Sequence, residues 1–332
     1  MKGRWFKSVL LGCLLLGFIT LSILGYEIYL LKSKPLLIEP SPPVTIIVDR
    51  NVTVSLFLQM LASKQLIQSP RFDRLLIRYQ GWARHLKAGI YQLKPGETLQ
   101  QFLHKIESGL VMVKSFRIIE GSNLHKVDAN LKVAPYLHYQ DKDWEAIKAD
   151  YKSAEGLLLA DTYNYNAGSE AKPLLRLANQ KLQDYLAASW RNRSAALPYN
   201  SPYELLIAAS ILEKETSLAE ERKIISGVIV NRINKKMPLQ MDPTVIYALG
   251  ENYKGRLSHE DMSINSPYNT YIHRGLPPTP IAMVGKEAID AAAHPQPSNY
   301  LYFVAKGDGG HQFSASYEEQ KEAILRYQKR PQ

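Results

Sequence analysis

Cysteine is nearly missing from this chain: one, Cys13, occurs in 332 residues. It lies inside an uncharged stretch near the N-terminus, so the rest of the chain can form neither a disulfide nor a thiol site and must be stabilised by packing. Fixed-period repeats and low-complexity tracts are also absent, which removes solenoids and disordered tails from consideration. Residues able to ligate a metal (Asp161, His259, Asp261, His273, His294 and His311) occur singly, without tight ligand spacing, so no metal or other cofactor is expected. No GxSxG, phosphate loop or GxGxxG is present. The net charge of +10 lacks a concentrated basic stripe, because lysines and arginines are scattered among the acids. Nucleic acid is therefore not an expected partner, whereas work beside an anionic membrane or polymer fits the charge.

The N-terminus supplies what the rest lacks, a long apolar run. Ser8 to Tyr26 contains no charged residue and has about the length of one bilayer-spanning helix. Lys2, Arg4 and Lys7 precede it, which places the N-terminus in the cytoplasm and the body outside; Trp5 and Tyr26 mark the two interfaces. A cleaved signal peptide is the alternative, but no small-residue cleavage site follows Gly25. LLGC at 10–13 resembles a lipoprotein site, yet Ser8 to Gly12 is too short for the apolar core such a signal needs. The expected layout is a cytoplasmic tail at 1–7, a membrane helix at 8–26 and a proline-rich linker at 27–43 that holds the body off the membrane.

Beyond the linker the pattern is α+β. VTIIV reads as a strand, VSLFLQMLASKQL and FDRLLIRYQGW as helices, AGIYQL as a strand, and LQQFLHKIESG as a helix stopped by Gly109. This small unit spans 44–113. A larger unit at 114–332 opens with the strand and turn KSFRIIEGSNL. It continues through an exposed helix over Asp141–Tyr151 and an amphipathic one over Leu174–Trp190.

The next helix carries ILEKETS at 211–217. Ser201, Pro202 and Glu204 form a helix start with a capping box, and Ser217 with Glu220 reads as a second box that opens the following helix. The first helix then ends near Glu215–Thr216. Its run LLIAASIL is apolar on most of its circumference, which marks a buried helix. At helical spacing Glu215 falls roughly 50° from the centre of the apolar face and Glu213 roughly 110°. A buried glutamate at a helix C-terminus is disfavoured as an anion by desolvation and by the helix dipole, so its pKa should rise toward that of a general acid. A structural glutamate paired with Lys214, Arg222 or a tyrosine is the alternative on geometry alone.

The stretches 239–255, 266–282 and 294–313 read as long prolyl loops rich in tyrosine, and compact domains seldom carry such loops without a functional reason. YLYFVA reads as a buried strand, and GDGGHQF as a turn into a short strand. Flat apolar rings with hydroxyl tips, set among amides and a carboxylate, suit a polysaccharide groove. The candidates are Gln240, Asp242, Tyr247, Tyr268, Asn269, Tyr271, Tyr302 and His311, with Tyr253, Tyr300 and Gln312 beside them. On the alternative reading, half of the tyrosines only pack loops onto the core.

Over about a hundred residues, from ASILEKETS through LQMDPTVIYALG and SPYNTYIHRGLPPTP to GDGGHQF, the chain resembles the endolytic murein transglycosylases of the MltG (YceG-like) type. EGLLLADTYNY, IIEGSNL and AGIYQLKPGETLQQFLHKIESG match more weakly. The resemblance implies that the unit at 44–113 is LysM-like and that 114–332 is a catalytic domain with its core at 201–320. It implies cleavage between N-acetylmuramic acid and N-acetylglucosamine in nascent peptidoglycan strands, ending their elongation, with Glu215 as the catalytic acid and 1,6-anhydro ends as product. It also implies contact with peptidoglycan synthases (penicillin-binding proteins) and a single-pass inner-membrane location with the catalytic domain in the periplasm. Ala160 stands where the family usually has proline, Met241 where it has threonine, and Glu319-Gln320 where His-Asn is common. A conventional glycosidase would need a second carboxylate, for which Asp242 is the candidate. A membrane-anchored, wall-binding scaffold without catalysis is the further alternative.

Overall fold

The computed structural model describes residues 2–68, 70–80 and 86–327; within these, the side chains of residues 2–8, 31, 71–72, 76 and 79–80 lie outside the described set. The fold is α+β. It divides into two compact units, Met1–Lys114 with Asn166–Gly168, and Ser115–Tyr165 with Ser169–Gln332.

In the first unit, α1 (Lys2–Ser33) contains an apolar run over Val9–Leu30 with mean hydropathy 2.3, suited to one membrane span or to a signal sequence. The positive flank and Trp5 expected at its cytoplasmic end lie among the undescribed side chains. The helix runs past Tyr26, so residues 27–33 are helical rather than extended linker. The next segment is not a free tether either. Leu36 donates its N–H to the Glu97 carbonyl (2.8 Å), Gly96 donates to the Leu37 carbonyl (2.9 Å), and Ile28, Leu36 and Leu37 pack on this unit's core. These are apolar side chains in a stretch otherwise read as a spacer, and burial takes them up.

The antiparallel pair β1 (Val44–Val48) and β2 (Gly89–Leu93) sets Val44 opposite Leu93 and Val48 opposite Gly89. Helices α2 (Val54–Ser63), α3 (Pro70–Gln80) and α4 (Leu99–Ser108) complete the unit. Gly81 and Trp82, read as the end of the FDRLLIRYQGW helix, lie outside the described residues. Thr98 and Gln101 close a capping box on α4, and Gly109 ends it at φ 76°, a left-handed conformation that glycine adopts without strain. Phe57, Leu58, Tyr91 and Phe102 fill the core.

The division falls within β3 (Val113–Arg117) and its partner β5 (Thr162–Asn166), whose residues from Ser115 and up to Tyr165 belong to the second unit, as does α5 (Leu124–Lys132), capped by Asn123. β4 (Leu137–His138) runs parallel to β6 (Ser169–Glu170). The exposed helix expected over Asp141–Tyr151 is instead a short 3-10 turn followed by α6 (Glu145–Lys148). Trp144 turns inward there, its indole N–H donating to Tyr139 and Asp128. After α7 (Ala171–Arg191), helix α8 (Pro202–Glu215) buries every residue from Leu205 to Leu212, as a helix apolar on all sides must.

α8 packs against α7, α9 (Ala219–Asn234), α10 (Asp242–Leu249) and α11 (Lys286–Ala293), whose alanines permit close approach. Inside it, the Ser210 hydroxyl accepts the Ile281 N–H (3.0 Å). The antiparallel pair β7 (Tyr302–Ala305) and β8 (His311–Ser314) and helix α12 (Tyr317–Tyr327) close the unit. β7 is less buried than its apolar sequence suggests, with only Val304 fully inside.

Three other expectations give way. Ser201 caps α8 through the Glu204 N–H (3.2 Å), but Glu204 turns to the Asn200 N–H (2.7 Å) and leaves the box half formed. Ser217 caps nothing: α9 starts at Ala219, and the Thr216 hydroxyl holds the turn by accepting the Leu218 N–H (3.1 Å). The stretch read as a loop at 239–255 contains α10, because Pro243 presets its first turn and Val245 and Leu249 bury its inner face.

Candidate active site

Glu215 is the last residue of α8, where the chain leaves the core. Its Oε2 is buried and has no hydrogen-bond partner among the described residues. Burial, and after it the negative charge of Asp242, push its carboxyl up to about 8. Asp242 is exposed at the first residue of α10, where the helix dipole favours an anion, and accepts the Tyr271 hydroxyl (2.5 Å). Burial and that bond hold the Tyr271 phenol well above its usual range, so it remains a donor. A protonated acid with an unpartnered oxygen, facing a neighbouring carboxylate, can give up a proton to a substrate atom.

Glu213, two residues earlier, is engaged: its Oε2 accepts the Gly285 N–H (2.8 Å) at the start of α11. Burial raises its pKa, and the Gly285 bond opposes the rise. One acid therefore fastens α8 to α11, and the other is left without a partner on Oε2.

A buried arginine, missed in the sequence inside the apolar run of α9, organises the neighbouring loops. Arg232 donates to the carbonyls of Leu301 (2.6 Å), Pro238 (2.9 Å) and Leu239 (2.9 Å) and to Gln240 Oε1 (2.9 Å). Its guanidinium lies 5.1 Å from the Tyr302 ring centroid. Gln240 is exposed, has a φ of 55°, and donates its own N–H to the Thr270 carbonyl (3.0 Å). Its amide oxygen is committed to Arg232, so its amide N–H groups point elsewhere as donors. Met241, at the N-cap position of α10, supplies no side-chain acceptor; its N–H donates to the Thr270 hydroxyl (3.0 Å).

The remaining sugar-groove candidates separate. Asn269 is fully buried and spends its side chain on the Met262 and Ile264 carbonyls and the Tyr271 N–H. It braces the loop that presents Tyr271, and no part of it is open to a sugar. Tyr247 and Tyr268 stand in a second cluster, their ring centroids 4.8 Å apart. Tyr268 shares a hydrogen bond with Thr279 (2.9 Å), and Tyr247 donates to Glu155 (3.0 Å). His311 is bound to Glu221, which accepts its backbone N–H (2.8 Å) and lies 2.6 Å from its Nδ1.

Glu155 is the acid that sequence reading passed over. It is 3% exposed, and burial pushes it up to about 7 against the lowering effect of the Leu124 N–H. Its two oxygens lie 2.9 and 3.0 Å from that N–H, at the start of α5. The adjacent Gly156 has φ 74°, and a Cβ there would come within 2.3 Å of Pro280, so only glycine lets the chain place Glu155. The one sequence signal was the EG dipeptide ahead of LLLADTY.

Against this geometry, the model of the YceG-like family matches residues 46–326. A Bacillus subtilis (strain 168) protein named endolytic murein transglycosylase is 30% identical over 89% of this chain and 87% of its own length. A Streptococcus pneumoniae protein of the same name is 34% identical over 50% of this chain and 30% of its own length. The crystal structure of a yceG-like protein from Listeria monocytogenes superposes with a TM-score of 0.53 at 27% identity, covering 84% of this chain and 98% of that one.

Proposed function

The chain belongs to the YceG-like family, and from that premise we propose that it is an endolytic murein transglycosylase that cuts peptidoglycan strands without water. The observation that carries the reading is Glu215 Oε2, buried and without a partner among the described residues, where burial holds the carboxyl up at about 8. Protonated Glu215 gives its proton to the glycosidic oxygen as the bond to C1 of N-acetylmuramic acid breaks, and C1 becomes oxocarbenium-like. The Glu215 carboxylate then takes the proton of the muramic acid 6-hydroxyl while that oxygen bonds to C1. The product is a 1,6-anhydro end, and one carboxylate serves as acid and then base because the nucleophile belongs to the substrate. Asp242 helps to keep Glu215 protonated, and Tyr271, Gln240 and Tyr302 bind the sugars.

In this account the unit before residue 114 is a LysM-like glycan-binding module, and α1 anchors the protein in the inner membrane with both units in the periplasm. Cleavage of nascent strands there ends their elongation, beside the penicillin-binding synthases that make them. The test is Glu215→Gln, which keeps the shape and removes the proton. The expected loss in kcat on purified strands is about 10²- to 10⁴-fold. Cleavage at the wild-type rate would exclude Glu215 as the acid and leave a wall-binding scaffold as the better description.

A further inference from the structure

Beside the acids lies a cleft of about 520 Å³ that the acid–base chemistry of Glu215 does not use. It opens between α5 and α10: Asn123, His125 and Lys126 line one side, and Ile246 and Tyr247 the other. Its lining also includes Lys214 and Pro243, the chain neighbours of Glu215 and Asp242, so the ends of α8 and α10 that carry those acids also border the cleft. Its size is that of a ligand site rather than a packing defect.

The chemistry of its walls is specific. Lys126 is exposed, and its ammonium has no ion-pair or hydrogen-bond partner among the described residues. Lys214 is held at the rim by a bond from its ammonium to the Gly121 carbonyl (3.2 Å). His125 stands 3.7 Å from Glu251, the one carboxylate lining the cleft among the described residues. The floor is apolar, formed by Pro243, Ile246 and the ring of Tyr247, whose hydroxyl is already spent on Glu155. An uncharged sugar face has little use for two ammonium groups over an apolar floor. A short peptide ending in carboxylates, with small apolar side chains, matches both features.

We infer that this cleft binds the carboxylate-bearing peptide branch of the glycan substrate, so that the protein reads the side chain of the strand as well as its sugars. The inference rests on the transglycosylase reading and deepens it. Occupancy of the cleft fixes which muramic acid residue lies against Glu215, since the branch is attached to that sugar.

The experiment uses the full chain in detergent, with two substrates: peptide-bearing strands and the same strands stripped of peptide by an amidase. Wild type is expected to show a KM about tenfold lower for the peptide-bearing strands. The advantage should shrink toward one in Lys126→Glu and on raising the salt, because the contacts are exposed charges. Lys126→Ala, milder for the exposed face of α5, should show an intermediate ratio. Equal KM for both strands in wild type overturns the inference and leaves the enzymatic reading standing, as does a ratio that neither the Lys126 substitutions nor salt change. Cleavage of neither strand by wild type removes the enzymatic reading and the inference together.

Discussion

Glu213 and Glu215 share a helix and a composition, yet one oxygen contact separates their fates. Glu213 Oε2 has the Gly285 N–H; among the described residues Glu215 Oε2 has none. An acid kept neutral by burial costs stability when it ionises, and the sign follows from its two pKa values. In the unfolded chain a glutamate releases its proton near 4.5, whereas folded Glu215 keeps it to about 8. Its contribution to stability is complete below about pH 4.5 and declines until about pH 8. Glu215→Gln has no proton to lose, so it should match wild type at low pH and become the more stable protein as pH rises. The gap should level off above pH 8 at up to a few kcal/mol, since each tenfold change in proton affinity is worth about 1.4 kcal/mol. Glu155 and Glu213 are raised in the same direction but are present in both proteins. Denaturant melts at pH 5, 7 and 9 read this directly, and parallel stability curves for the two proteins would contradict it. Helical spacing alone ranked Glu215 above Glu213. It could not find Glu155, whose burial depends on Tyr247, 92 residues away in the chain.

At the scale of elements, α8 is the frame: an all-round buried helix that ends at its acid, begun by Ser201 and turned by Thr216. Ser201→Ala should cost about 1 kcal/mol, the usual worth of an N-cap, whereas Ser217→Ala should stay within about 0.5 kcal/mol. Equal losses in chemical unfolding would mean that the two serines share the capping after all. Helices and strands with strong local signals, such as α4 between Thr98 and Gly109, were legible from the sequence. α10 was not, because its tyrosine and proline resemble loop chemistry and its apolar face is only Val245 and Leu249. The break at Asp141–Tyr151 escaped for the opposite reason: its polar residues read as a surface, while Trp144 supplies an anchor that pulls the segment inward.

At the scale of the whole molecule, an α+β chain with an apolar first helix was legible, since hydrophobic periodicity and run length are local properties. The pairing of the segments was not. Glu221 with His311, and Arg232 with Leu301, are contacts between distant parts of the chain. If α1 spans a bilayer, the full chain should stay in the membrane pellet through an alkaline carbonate wash and leave it only with detergent. Release by carbonate alone would mean peripheral attachment. A chain starting at Lys34 should be soluble, though weakened by the loss of the Ile28 contact with the first unit's core.

The central claim is that Glu215 drives cleavage in which the strand's own hydroxyl replaces water, and digestion of purified strands in heavy-oxygen water tests it most directly. Wild type should give 1,6-anhydro ends, one water lighter than reducing ends and free of heavy oxygen, and Glu215→Gln should give no new ends over the same period. Reducing ends that carry heavy oxygen would contradict the claim, and would make Asp242 the partner of Glu215 in hydrolysis.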